Sequence, residues 1–282
     1  MYSEPRNMTQ VMAVASGKGG VGKTNVAINL AMALAARDKA VTLMDADLGL
    51  ANIDVLLNLR PMRNLSHVIE GDCTLRDILI QGPGGVRIIP AASGIKMMSE
   101  LTPAQHVGLV HAFDDIVNDT DYLIVDTAAG ISDSVVRFCS AAQEILVVVC
   151  NDPASIADAY ALIKTLNKEH KLHRFSIVVN KVKTEAEGSL LFERLCAVTD
   201  QYLDVVLKLN ANIPDDNCIQ QAARKRQAFY LAYPHAKAVK TFKKMAFDAD
   251  TSKKAVKSSG RLTFFAEQML GTQVVQASRA MS

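Results

Sequence analysis

The chain has 282 residues, 49% of them apolar, enough for a large core; that length is long for one domain but common among open α/β sheets. Met1 to Gln10 is short and polar, no apolar run approaches the ~18 residues of a membrane span, and five cysteines share no C-x-x-C spacing, so secreted, membrane-spanning and disulfide-built classes are set aside. Charge is uneven: residues 221–282 hold 12 Lys/Arg against 3 Asp/Glu, a net of +9, against −7 for residues 1–220, an asymmetry that points to a basic C-terminal segment able to face an anionic surface, membrane or nucleic acid.

A first buried strand is expected over Val11–Ala15, and a helix follows with Val26, Leu30, Ala33 and Leu34 at helical spacing. Between them, Gly17-Lys18-Gly19-Gly20-Val21-Gly22-Lys23-Thr24 satisfies the P-loop pattern in the strand–loop–helix context that pattern requires. Its glycines let backbone N–H groups turn around phosphate oxygens, and the helix N-terminus adds its positive end. Lys23 would reach the β/γ-phosphates and the Thr24 hydroxyl would ligate Mg²⁺. A second strand, Val41–Asp45, runs into Asp45-Ala46-Asp47, carboxylates at the strand end where open α/β sheets bind ligands. Farther along that segment, Asp54 reads equally as a functional or a helix N-terminal carboxylate. Gly71 to Gly85 reads as a Gly/Pro-containing connection, Val86–Pro90 as a strand, and Pro103 opens a helix to about Val117. Tyr122–Asp126 is an apolar strand closed by an aspartate, the Walker B arrangement that holds Mg²⁺ directly or through water.

The next strand, Glu144–Val149, ends in Cys150-Asn151-Asp152-Pro153, where another ligand loop is expected. A helix over Ser155–His170 places Ile156, Tyr160, Ile163 and Leu166 on one face, read as core. Phe175–Val179 leads into Asn180-Lys181, and Val205–Asn210 into Asn212-Ile213-Pro214-Asp215-Asp216. Asn180-Lys181-Val182-Lys183 lacks the aspartate that would accept guanine's exocyclic amine in an Asn-Lys-x-Asp motif, so ATP is expected rather than GTP. From Asn217 the chain turns helical and basic, with Arg224-Lys225-Arg226 and then Lys237, Lys240, Lys243 and Lys244. Asp248 to Gly260 reads as a polar, mobile linker. Beyond it Leu262, Phe265, Ala266, Met269 and Leu270 share one helical face, with Phe264 opposite, a face that fits either a lipid surface or the body of its own domain. Four large apolar side chains at ~1.5–3 kcal/mol each amount to ~6–12 kcal/mol gross. One tail is then a marginal anchor, and two tails on one dimer would gain ~10²–10⁴ from effective concentration.

Lys18, one residue after Gly17, makes the loop read Lys-Gly-Gly-x-Gly-Lys-Thr, which resembles the deviant Walker A motif of the MinD/ParA-type ATPases. The P-loop, the Asp47 segment, the Asp126-Thr127-Ala128-Ala129-Gly130 run and the Asn180 strand follow that family's order over most of residues 11 to 216. The resemblance implies an α/β fold: one P-loop NTPase domain over residues 1–247 with a mostly parallel twisted sheet flanked by helices, a basic linker over 248–260, and an amphipathic helix and tail over 261–282. It implies that Gly17, Lys18, Gly19, Gly20, Val21, Gly22, Lys23, Thr24 and Asn25 hold ATP, with Lys18 reaching the phosphates bound by the other subunit of a dimer. Asp47 would orient the attacking water and join Thr24 and Asp126 around Mg²⁺. Asn180 would read the adenine edge, with Pro214 and Asp215 beside the base. Leu262, Phe265, Met269 and Leu270 would enter an anionic membrane.

Within the family, Asp-Ala-Asp-Leu-Gly-Leu-Ala-Asn-Ile-Asp, the Ile89–Gly94 loop, Asp-Thr-Ala-Ala-Gly and the tail's Leu-x-Phe-Phe look most like the flagellar-number regulators of the FlhG (FleN) branch. That likeness implies an ATP-dependent homodimer, cytoplasmic and peripheral at the inner membrane when ATP-bound. Its partners would be an FlhF-type GTPase and, in some bacteria, a flagellar transcription activator. Met1 to Gln10 shows none of the GTPase-activating motif that some of these proteins carry. Two sister readings stay open: a MinD division-site regulator, and a ParA partition ATPase that sets its C-terminal cations on DNA phosphates. A nitrogenase-type iron protein would need two bridging cysteines per subunit, and the wording around Cys139 and Cys150 does not match it.

Overall fold

A computed structural model describes residues 9–47, 52–91, 102–117 and 119–252. The strands are β1 (Gln10–Ser16), β2 (Val41–Ala46), β3 (Ile80–Gln81), β4 (Arg87–Ile89), β5 (Tyr122–Ala129), β6 (Glu144–Cys150), β7 (Arg174–Val182) and β8 (Val206–Pro214). Among the described residues they form one eight-stranded sheet in the order β3-β4-β2-β5-β1-β6-β7-β8, parallel except for the β3–β4 pair. The central strands are near-continuous apolar runs because helices cover both faces. Strand order turns about β1, so the loops leaving β1, β2, β5 and β6 gather at one end of the sheet, where such folds bind ligands.

The helices are α1 (Lys23–Ala35), α2 (Ile53–Leu56), α3 (Leu65–Glu70), α4 (Leu75–Ile78), α5 (Pro103–Val117), α6 (Asp133–Ala141), α7 (Pro153–His170), α8 (Glu185–Tyr202), α9 (Asn217–Arg224), α10 (Phe229–Ala232) and α11 (Lys237–Thr251). Alternate residues of the strands face opposite cores. Met12 and Val14 pack with α1, α10 and α11, whereas Ala13 and Ala15 pack with α6 and α7. Helix α1 is buried almost all round because it is held between the sheet and α11, which explains why its sequence is apolar on every side.

Several boundaries differ from those expected. The Gly71–Gly85 connection carries α4 and the edge strand β3, because Thr74 and Asp77 form a capping box that starts a helix in polar sequence. Strand β5 does not close at Asp126 but runs to Ala129, since Thr127 still pairs with Ala46 and Ala129 with Ser16 on its two neighbours. The core helix over Ser155–His170 begins at Pro153 behind an Asp152 cap and buries Ala159, Leu162, Ile163 and Leu166; Ile156 and Tyr160 pack at the edge of the same cluster. Helix α11 continues through Thr251, so the linker expected from Asp248 starts no earlier than Ser252. Asp250 holds that last turn by pairing with Arg37 and Lys39, each at 2.8 Å. The tail residues Leu262, Phe265, Met269 and Leu270 lie outside the described residues, as do residues 48–51 and most of the loop after β4. No described helix is long and apolar enough to cross a membrane.

Candidate active site

The P-loop leaves β1 and enters α1 through Gly22, whose left-handed backbone (φ 94°) is open to glycine. A Cβ there would stand 2.4 Å from Asn180 Nδ2, and one on Gly17 would stand 2.1 Å from the Asp158 carbonyl oxygen of α7. Both glycines are therefore required by close approach, one to β7 and one to α7.

Lys23 points into the protein. Its ammonium lies 2.6 Å from Asp126 Oδ1, with the lysine 7% exposed and the aspartate fully buried. Burial pushes the Asp126 carboxyl up, opposed by the Lys23 charge and by hydrogen bonding from Lys23 and Thr24. Asp126 Oδ2 is buried without a hydrogen-bond partner inside the distance limits of such a bond. A hard cation is the natural complement of that oxygen beside the Thr24 hydroxyl, so the residues fit Mg²⁺.

Asp45, directly across the β2–β5 ladder from Asp126, anchors the next segment. One of its carboxylate oxygens accepts from Asp47 N (3.1 Å) and the other from Asn52 N (3.0 Å) and Ile53 N (3.1 Å). It is 2% exposed, and its pKa is raised to about 6 by burial first, with the Asp126 charge adding to the rise and the three N–H groups opposing it. Asp45 thus ties down both ends of the stretch that begins with Asp47. Asp54 accepts from Val55 N (2.7 Å) in the first turn of α2, which is the helix N-terminal reading of that residue.

Lys18 turns the other way, to the rim. Its ammonium pairs with Asp152, the residue that also caps α7 by accepting from Ala154 N, and both side chains are about 40% exposed. Asp152 raises the Lys18 pKa and is itself lowered by it.

A cavity of about 640 Å³ opens over the loop, within the usual range for small-molecule sites. Lys18, Gly19, Gly20, Gly22, Lys23, Thr24 and Asn25 line its phosphate end, and Asp47 reaches its edge. Asn180, Pro214 and Asp215 line the other end. Gly17, Val21 and Asp126 lie behind this lining. Asn180 is nearly buried, and its amide nitrogen donates to the Val21 carbonyl at 2.7 Å, so its side chain braces the P-loop as well as bordering the expected base end. Sequence reasoning did not single out Asp45, Asp152, Lys181 or Asp216 as working residues, although Lys181 and Asp216 both line the cavity. The available signal for Lys181 is its place beside Asn180 near a strand end, a position that the Asn-Lys-x-Asp comparison touches only through the absent aspartate.

A protein-family model described as ParA, NUBPL iron-transfer P-loop NTPase, matches residues 7–249. The chain is 54% identical over 261 residues to the antiactivator FleN of Pseudomonas aeruginosa, covering 93% of each. It is 31% identical over 227 residues to the flagellum site-determining protein YlxH of Helicobacter pylori, covering 80% of this chain and 76% of that one. The septum site-determining protein MinD of Pyrococcus horikoshii, complexed with Mg-ADP, superposes with a TM-score of 0.69 over 86% of this chain and 97% of that chain, at 24% identity, a likeness of fold.

Proposed function

The chain belongs to the ParA/MinD family of P-loop ATPases, and from that premise we propose that it is an ATP-dependent dimeric switch that sets flagellar number or placement. The observation that carries this reading is the 54% identity to antiactivator FleN, which extends over 261 residues and 93% of each chain rather than over one motif. An antiactivator acts against an activator, so the partner class is a flagellar transcription activator, with an FlhF-type GTPase as the second. The Leu262, Phe265, Met269 and Leu270 face would hold the dimer at an anionic membrane.

The chemistry is phosphoryl transfer to water, in which positioning and electrostatics do most of the catalysis. Lys23 leaves Asp126 for the β/γ-phosphates, exchanging one anion for another without being unburied. Thr24 and Asp126 would hold Mg²⁺, with Asp47 beside them; the ion, when bound, neutralises charge between the β- and γ-phosphates. Asp47 orients the attacking water from a segment that Asp45 keeps in place. Lys18 must let go of Asp152 before it can serve the phosphates of a partner subunit, so dimer closure and loss of that pair are one event. Asn180, Pro214 and Asp215 would surround the base.

A ParA-type reading has one observation in its favour: Arg224, Lys225, Arg226, Lys237, Lys240, Lys243 and Lys244 are all exposed. Co-sedimentation of the Asp47→Ala protein separates the two. ATP-dependent pelleting with anionic vesicles and not with DNA is expected. Salt-sensitive, ATP-dependent DNA binding without vesicle binding would replace the membrane switch by a partition protein.

A further inference from the structure

Lys181 is a left-handed residue (φ 60°) inside a strand. The other described non-glycine residues with positive φ, Asp38, Asn58, Lys171 and Arg226, all follow the ends of helices, where a left-handed cap is ordinary. Lys181 has no such reason. It is the extra residue of a bulge: Asn180 stands opposite Ile213 and Val182 opposite Pro214, leaving Lys181 unmatched on β8. Bulges beside active sites re-aim a side chain, and this one sends the Lys181 ammonium to the Gly20 carbonyl oxygen at 2.9 Å. The neighbouring Asn180 amide donates to the next carbonyl, Val21 O, at 2.7 Å, while Asn180 Oδ1 accepts from the Lys181 backbone N–H at 2.9 Å and ties the Asn180 side chain to the bulge.

Two consecutive peptide units of the P-loop crest are thereby gripped from β7 by their oxygens. In a planar trans peptide the C=O and the N–H point in opposite directions. Gripping Gly20 O therefore turns the Val21 N–H away from β7, and gripping Val21 O turns the Gly22 N–H away likewise. Consecutive N–H groups aimed to one side are what an anion-binding loop consists of. We propose that Lys181, together with Asn180, is a positioning residue of the phosphate site, setting the direction of the P-loop N–H groups and joining the base end of the cavity to its phosphate end. The strained φ is retained because glycine, which would fit the bend, has no ammonium to reach Gly20.

The proposal rests on nucleotide binding at this P-loop and not on the membrane or flagellar reading. Its test uses the full chain, titrated with fluorescent ADP and ATP analogues and followed by thermal melts without nucleotide. Lys181→Gly removes the ammonium while suiting the backbone, so its melting temperature should hold or rise. Its affinity for both nucleotides should fall about tenfold, the loss expected for one charge-assisted hydrogen bond. KM for ATP should rise by the same factor with kcat changed less than threefold, and Lys181→Arg should recover most of the affinity. Nucleotide affinity of Lys181→Gly within twofold of the parent would overturn the assignment. So would an affinity loss matched by a lower melting temperature and not recovered by arginine, since that is the signature of a structural residue. A parent chain that binds neither nucleotide would instead sink the site itself, a separate outcome.

Discussion

The inner wall of the phosphate loop and its outer rim each hold a lysine–aspartate pair, and the two pairs are built for opposite purposes. On the wall, Lys23 and Asp126 meet at 2.6 Å with almost no solvent access. On the rim, Lys18 and Asp152 meet with both side chains about 40% exposed. In a buried pair neither charge can be abandoned, because the one left behind has no water to fall back on. In an exposed pair either partner is solvated at once when the other leaves, and the contact adds little. Lys23 is therefore fixed until another anion arrives, whereas Lys18 can leave Asp152 at little cost, as the proposed dimer requires.

The largest expected effect follows from the wall. Lys23→Ala should lower ATP and ADP affinity by more than ~100-fold, measured by fluorescent-nucleotide titration, since a P-loop without its lysine loses its contact to the β/γ-phosphates. It should also cost about 3–5 kcal/mol of stability in denaturant unfolding, the usual result of stripping one member from a buried pair. Asp126 already has a raised pKa, and burial without the ammonium raises it further. The variant should thus be less stable at pH 8 than at pH 6. Adding Asp126→Asn should restore stability but not nucleotide binding. A single variant that kept its stability would show that the wall pair is no more demanding than the rim pair.

Asp47→Ala comes next. It should reduce hydrolysis by ~10²-fold or more while nucleotide affinity stays within a few-fold, the outcome expected of the proposed role on water rather than on the phosphates. Accumulation of ATP-bound dimer by light scattering is the companion measurement. Unchanged hydrolysis would remove Asp47 from the water-positioning role.

Much of this architecture was legible in the chain. Alternating apolar strands and helical runs gave the sheet, and the segment Gly17 to Thr24 lies between a strand and a helix as expected, because both are local patterns read within some twenty residues. The contacts that distinguish the two lysines were not legible. Lys23–Asp126 and Lys18–Asp152 join residues more than 100 positions apart, through strand neighbours that only the sheet order brings together. The brace from Asn180 and Lys181 was hidden for the same reason, and additionally because a bulge leaves no mark in a hydrophobic pattern. The extension of α11 to Thr251 leaves little trace in the sequence because its last turn is polar and is held by Asp250 reaching back to Arg37 and Lys39, just past the C-terminal end of α1.

A smaller effect tests the wall through its neighbour. In nucleotide-free protein with chelator, Asp45 keeps its proton up to about pH 6, whereas the unfolded residue loses it near 3.8. Between those values the folded state binds more protons than the unfolded one, so this residue's contribution to stability falls as pH rises and is fully lost above about pH 6. Two pH units at ~1.4 kcal/mol each give a swing on the order of 3 kcal/mol. Asp45→Asn cannot titrate, so its stability relative to the parent should improve by that amount between pH 4 and pH 7. A constant difference across the range would mean that the three N–H groups, not burial, govern this carboxyl.

The smallest effect on stability, and the most direct on the comparison, belongs to the rim. Asp152→Asn keeps an oxygen to cap α7 at Ala154 N while removing the charge that holds Lys18. The melting temperature should move by no more than about 2 °C, as for other solvent-exposed pairs. On the proposed trans role of Lys18, the protein concentration at which ATP produces dimer should fall several-fold, because the lysine would no longer have to be taken from its own chain before reaching a partner's phosphates. That gain should shrink as salt rises, since screening weakens the parent's Lys18–Asp152 pair in the same way. A large loss of melting temperature would show the rim pair to be structural like the wall pair. An unchanged dimer midpoint would show that breaking the pair is no part of closure. If the midpoint alone moves, the two lysines differ as their surroundings imply: one stays committed to whatever anion lies beneath the loop, and the other is held in reserve for a second chain.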